Sequence, residues 1–119
     1  MEDGTNKRTD RYGGSIENCS MRLLVENLEA ASKIYPTNKI GVRLPPYGLF
    51  NDMSDSDPIS LFTAVCTKIH ELGIDYVNVI EPRSTHAGGG EDVVEGVPRT
   101  SGGFRKTFAG NFISAGGYT

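Results

Sequence analysis

Lys39 to Met53 reads KIGVRLPPYGLFNDM, and the fold is read outward from it. The stretch opens as a short strand, Ile40 to Leu44, in which Ile40, Val42 and Leu44 face one way while Gly41 and Arg43 face the other. Pro45 and Pro46 cannot donate to a sheet ladder, so the chain leaves the sheet there and Arg43 falls near the strand's C-terminal end. In parallel α/β proteins that end is where ligands bind. A guanidinium is always charged and carries its donors in a flat fork, which makes Arg43 a candidate for holding a flat, acceptor-bearing or anionic partner. The competing reading is an ordinary strand-end arginine paired with a carboxylate, and the strand alone favours it.

Upstream, residues 1 to 14 are polar and end in Tyr12-Gly13-Gly14, an exposed loop with a tight turn that offers nothing to start a core. A helix is predicted from Ser15, a candidate N-cap, with Met21, Leu24, Leu28 and Ala31 recurring at helical intervals and an end near Ile34, before Pro36. Downstream, Asp57 caps a second helix, Pro58 fits its first position, Leu61, Val65, Ile69 and Leu72 form its buried stripe, and Gly73 terminates it. Tyr76 to Ile80 is a β-branched run of strand length closed by Pro82. Ser84 to Gly103 reads as a long Gly-rich loop, Phe104 to Phe108 as a short helical turn, and Asn111 to Ala115 as a third strand. Leu44 and Asp75 are 31 positions apart, and so are Ile80 and Asn111, which is the rhythm of βαβ units in a parallel sheet. Three such strands leave two open edges and are too few for a closed barrel, so the chain is either a small open α/β sheet or a piece of something larger, and the stop after the third strand favours a piece.

The chain has 119 residues, 37% hydrophobic and 23% charged, enough for one modest domain. Its 12 Lys and Arg against 15 Asp and Glu give a net charge of −3 with no basic patch, which argues against nucleic acid as a partner. Cys19 and Cys66 lie far apart without zinc-type spacing, and no stretch reads as a secretory signal or a membrane helix. A reducing, cytoplasmic setting is expected.

Few residues outside Arg43 carry chemistry. Ala115-Gly116-Gly117 follows the third strand, where bare backbone N–H groups could approach a phosphate, although a Gly-Gly after a strand is more often only a turn. Gly88-Gly89-Gly90 has no strand-turn-helix frame and reads as a flexible loop. Asp52, Asp55 and Asp57 resemble the start of a calcium loop but lack its glycine and terminal glutamate, so no metal site is assigned. Neither His70 nor His86 has a triad around it. Phe50, in the loop after Arg43, could lie over a bound ring or pack back on the sheet.

Several blocks together carry a resemblance. Asn6 to Asn18 (NKRTDRYGGSIEN) resembles the NxRTDxYGGSxEN segment of the Old Yellow Enzyme family, which includes the 12-oxophytodienoate reductases. Ile40 to Leu44 with Pro46, Asn51 to Asp55, Val79 to Arg83 and Gly110 to Thr119 resemble that family's later blocks in the same order. The resemblance implies an FMN enzyme on a (β/α)8 TIM barrel, here about strands 5 to 7 and their helices, taking hydride from NADPH or NADH and reducing the C=C of a small-molecule α,β-unsaturated carbonyl. By the same resemblance Arg43 contacts the pyrimidine edge of the flavin, Gly116 and Gly117 offer backbone amides to the FMN phosphate, and Phe50 lies near the substrate pocket. The family's carbonyl-polarising His/Asn or His/His pair and its proton-donating tyrosine belong to the fourth strand, upstream of Met1. No catalytic residue is therefore assigned, and the chain by itself is expected to be silent. Cys19 and Met21 stand where the family usually has arginines, and Pro45 where it usually has serine. The alternative expectation is a catalytically inactive truncated relic or interaction fragment of such a barrel.

Overall fold

Three parallel strands, β1 (Gly41–Leu44), β2 (Tyr76–Ile80) and β3 (Asn111–Ala115), form one sheet in the order β1-β2-β3. They belong to a computed structural model that describes residues 2–16, 21–48, 52–82, 97 and 99–116. The register places Val42 beside Val77 and Leu44 beside Val79, with Phe112 and Ser114 completing those rows on β3. Val77 and Val79 have no exposed surface, and Val42 and Leu44 are buried with them. Each such side chain removed from water contributes roughly 1.5–3 kcal/mol.

The cover for this face comes from α1 (Arg22–Ser32) and α2 (Pro58–Glu71). The second helix is built as the sequence predicts. The Asp57 side chain accepts from the Ser60 N–H at 3.0 Å, Pro58 stands at the first position, and Gly73 follows the end with φ of 69°. Its stripe is Leu61, Val65 and Ile69, widened by Phe62 and Cys66, while Leu72 is only partly buried at the cap. Burial pushes the Cys66 thiol up to about 11, so this cysteine is a core residue rather than a reactive one. The first helix is described from Arg22; the partners of a Ser15 cap fall within 17–20, outside the described residues.

Two expectations are corrected. Residues 84–96 and 98 of the expected long loop lie outside the described residues, and its last part is not loop: α3 (Thr100–Gly103) is a helical turn running into a 3-10 turn, Phe104–Lys106. Gly-rich sequence disfavours a helix on its own. Here tertiary burial overrides it, because Phe104 and Phe108 are 3% and 0% exposed and Phe104 meets Phe62 of α2 edge to face at 6.4 Å. A 3-10 turn, Thr37–Lys39, also shortens the first strand by one residue, its Ile40 N–H bonding to the Thr37 carbonyl.

The polar N-terminal segment is the exposed, turn-rich loop that the sequence predicts, and its hydrogen bonds also fasten it to the rest of the fold. Asp3 accepts from the Ser56 N–H at 2.9 Å and from the Ser56 hydroxyl, the Asp3 N–H bonds to the Asp55 carboxylate at 3.1 Å, and the Gly4 N–H bonds to the Ser54 carbonyl at 2.9 Å. The Asn6 amide donates to the Tyr12 carbonyl, Arg8 pairs with Asp10, and Tyr12 and Arg11 both reach Glu26 of α1. The NKRTDRYGG block is thus a self-bonded strap between α1 and the loop after β1. Gly13 is fixed by close approach: a Cβ there would stand 1.8 Å from the Arg8 carbonyl oxygen.

Two predictions follow from the strap. Gly13→Ala should lower the melting temperature well beyond Gly102→Ala, whose Cβ would meet nothing within 4 Å; circular dichroism during heating measures both. Hydrogen bonds hold the Asp3 and Asp10 carboxyls below their ordinary value of 3.8, Asp10 at about 2. A depressed folded-state value means stabilisation that is present above the unfolded value and lost as pH falls through the folded one. The Asp10 contact with Tyr12 should therefore loosen between pH 3.8 and about 2, and the Asp3 contact with Ser56 as pH falls below 3.8, seen as loss of exchange protection, relative to the intrinsic rate, at the Tyr12 and Ser56 amides, with those of Val77 and Val79 unaffected.

Candidate functional site

Alternation fixes what the opposite face of the sheet carries. With Val42, Val77 and Val79 turned to the helices, Arg43, Asn78 and Ile113 form one row on the far face, flanked by the row Gly41, Tyr76, Asn111 and by the pair Ile80 and Ala115. No described element covers this face: Arg43 and Asn111 are exposed, and Tyr76 and Ile113 are 37% and 45% exposed. Parallel sheets are normally covered on both sides. An apolar row left open beside a guanidinium is the distinguishing feature of the molecule.

Arg43 stands one residue before the end of β1, as expected. Its guanidinium makes no hydrogen bond or ion pair among the described residues, so the ordinary strand-end pairing with a carboxylate is not found among them. Gly116 immediately follows β3 at the same end of the sheet, with φ of 102°, a conformation that L side chains rarely adopt. Between Arg43 on β1 and Gly116 after β3 lie two strand spacings, about 10 Å, and a further rise of about 10 Å along the strand direction. Phe50 and Gly117 lie outside the described residues.

Three groups near this end escaped sequence reasoning. Glu81, directly after β2, continues the helix-facing alternation of Val77 and Val79 and is 1% exposed; its N–H bonds to the Ala115 carbonyl at 2.8 Å and its carboxylate accepts from the Ser114 hydroxyl. Burial first, and the Glu81 charge second, raise the Tyr47 phenol above its usual value. Asn78 carries a buried Oδ1 with no hydrogen-bond partner. An acid that keeps the period of a β-branched strand is the signal that marks Glu81. For Asn78 the signal was its even spacing with Tyr76 and Ile80.

A cavity of about 250 Å³ runs along the free edge of β1, lined by Val42, Arg43 and Leu44 from both of its faces and walled by Leu24, Met53 and Phe62. Glu2 also lines it, 6% exposed, with Oε2 unpartnered; burial pushes its carboxyl up. Among the described residues no group of three or more His, Cys, Asp or Glu could hold a metal ion, and no helix is long and apolar enough to cross a membrane.

Comparison with known proteins places this arrangement. The chain is 38% identical over 119 residues to 12-oxophytodienoate reductase 1 of Oryza sativa subsp. japonica and 34% identical over 119 residues to 12-oxophytodienoate reductase 2 of Arabidopsis thaliana, covering 99% and 100% of itself and 30% of each relative. The chain thus spans about a third of the length of these curated relatives. Among solved structures, the old yellow enzyme homologue from Zymomonas mobilis superposes with a TM-score of 0.84 at 30% identity, covering 99% of this chain and 32% of that one. A morphinone reductase in complex with tetrahydroNAD gives 0.80 at 28% identity, covering 99% and 29%. The open three-stranded sheet is therefore part of a (β/α)8 barrel, as the sequence implied. Matched by one family model from residue 1 to residue 119, the chain belongs to the NADH:flavin oxidoreductase / NADH oxidase family.

Proposed function

We propose that this chain carries the flavin-edge portion of an FMN-dependent ene-reductase, an enzyme passing hydride from NADPH or NADH to the C=C of a small α,β-unsaturated carbonyl compound. The observation that supports this most is the guanidinium of Arg43, unpaired among the described residues, on an open sheet face at the same strand mouth as the positive-φ Gly116. The residues present fit FMN. A free flat fork of donors suits the acceptor-rich pyrimidine edge, and a bare backbone after β3 suits a phosphate. Bound there, the flavin would supply the hydride chemistry. Arg43 would supply positive charge where the reduced ring becomes anionic, Gly116 and Gly117 backbone donors, and Phe50 an apolar contact for the substrate.

The Tyr76 phenol on the open face has its ring across Gly41, and in this reading the 119-residue chain supplies flavin-binding groups and no assigned proton donor. Mixed with FMN, NADPH and cyclohexenone it should show no turnover, while FMN fluorescence should be quenched saturably. Arg43→Ala should weaken that quenching about tenfold, the worth of one charged hydrogen bond. Robust turnover, or quenching that ignores Arg43, would contradict the reading.

A second reading, a catalytically inactive relic or interaction fragment, draws on the exposed Tyr76 and Ile113 and on the free edges of β1 and β3. It predicts a gradual thermal melt and no retained flavin. A sharp cooperative transition counts against it.

A further inference from the structure

Arg43 and Asn78 are direct neighbours in the β1–β2 ladder, so their side chains leave the same face from Cα atoms about 4.8 Å apart. Each lacks what the other has. The guanidinium is exposed and, among the described residues, donates to nothing; Asn78 Oδ1 is buried and accepts from nothing. A buried acceptor left unmet is destabilising, and natural structures rarely keep one without a reason. The remaining neighbours of Asn78 in its row and along its strand offer little. Ile113, on the β3 side, has no donor, Ile80 has none, and the Tyr76 ring lies across Gly41, where a Cβ would come within 2.0 Å of it.

We propose that Asn78 is a positioning residue for Arg43 once a ligand covers the face: the guanidinium, which in this structure donates to nothing among the described residues, turns to donate to Asn78 Oδ1, and this fixes the plane of the fork over the strand mouth and leaves the outer donors free for a ligand edge. The inference rests on the flavin reading above and deepens it, since a fork held in one plane selects a flat ring edge over a freely rotating anion. While the face is open to water the pairing gains little. A ring laid over the row excludes that water and strengthens it.

The test is a double-mutant cycle on FMN affinity, read by fluorescence quenching of the full 119-residue chain. Asn78→Leu, which keeps the volume and deletes the acceptor, should weaken FMN binding roughly fivefold when Arg43 is present and leave it unchanged in an Arg43→Met background. Equal losses in both backgrounds would mean a merely structural role and overturn the proposal. A second readout is the Arg43 Nε–H resonance in the FMN-bound chain. It should differ between the wild type and Asn78→Leu; an unmoved resonance overturns the pairing. If the wild-type chain binds no FMN, the flavin reading fails and the positioning role falls with it, whereas FMN binding that ignores Asn78 overturns the positioning role alone.

Discussion

Burial of one face of β2 is the constraint on which the rest of the molecule depends. Val77 and Val79 have no exposed surface, and β2 is hydrogen-bonded on both sides, so it can move in neither direction without breaking a ladder. Because side chains alternate, the choice of core face also determines the chemistry face. A slip of one residue in the register would send Arg43 and Asn78 under α2 and bring Val42 and Val77 into the open. The hydrophobic packing of the helix layer thus aims the guanidinium, although no helix residue needs to touch it.

The elements legible in the sequence are those whose period and punctuation agree. β2 and β3 have the expected bounds because each is an uninterrupted strand-length run. α2 was fully marked, by an aspartate that does accept from the third residue after it, a proline at the first turn and a glycine beyond the end. What escaped was long-range. The strap of residues 2–14 is polar, and its role lies in hydrogen bonds from Asp3 and Gly4 to residues 50 or more positions away. Phe104 and Phe108 look isolated in sequence, yet they bury themselves against α2 and fold the TSGG segment into a turn.

The site was legible in part for the same reason. Alternation and the two prolines located Arg43 on its face and near its strand end, but a one-dimensional pattern cannot say whether an arginine is paired. The strand followed by Gly116 and Gly117 already suggested an anion site, and family resemblance supplied the flavin. It gave no reason to consider Asn78, whose importance appears only once the register sets it beside Arg43. Glu81 was similarly visible as part of a family block but not as a buried acid tied to Ser114. The three strands at this part of the barrel mouth thus carry a cation and an orphan carboxamide in one row, with apolar Ile113 beside them.

Solvent paramagnetic relaxation at methyl groups tests the central claim most directly, namely that the face opposite the helices is open and is the face that takes the flavin. With a soluble paramagnetic agent, the Ile113 methyls should be strongly broadened while those of Val77 and Val79 stay sharp, and adding FMN should protect Ile113. Protection of Ile113 before FMN is added, or FMN effects confined to the helix-facing valines, would contradict the account.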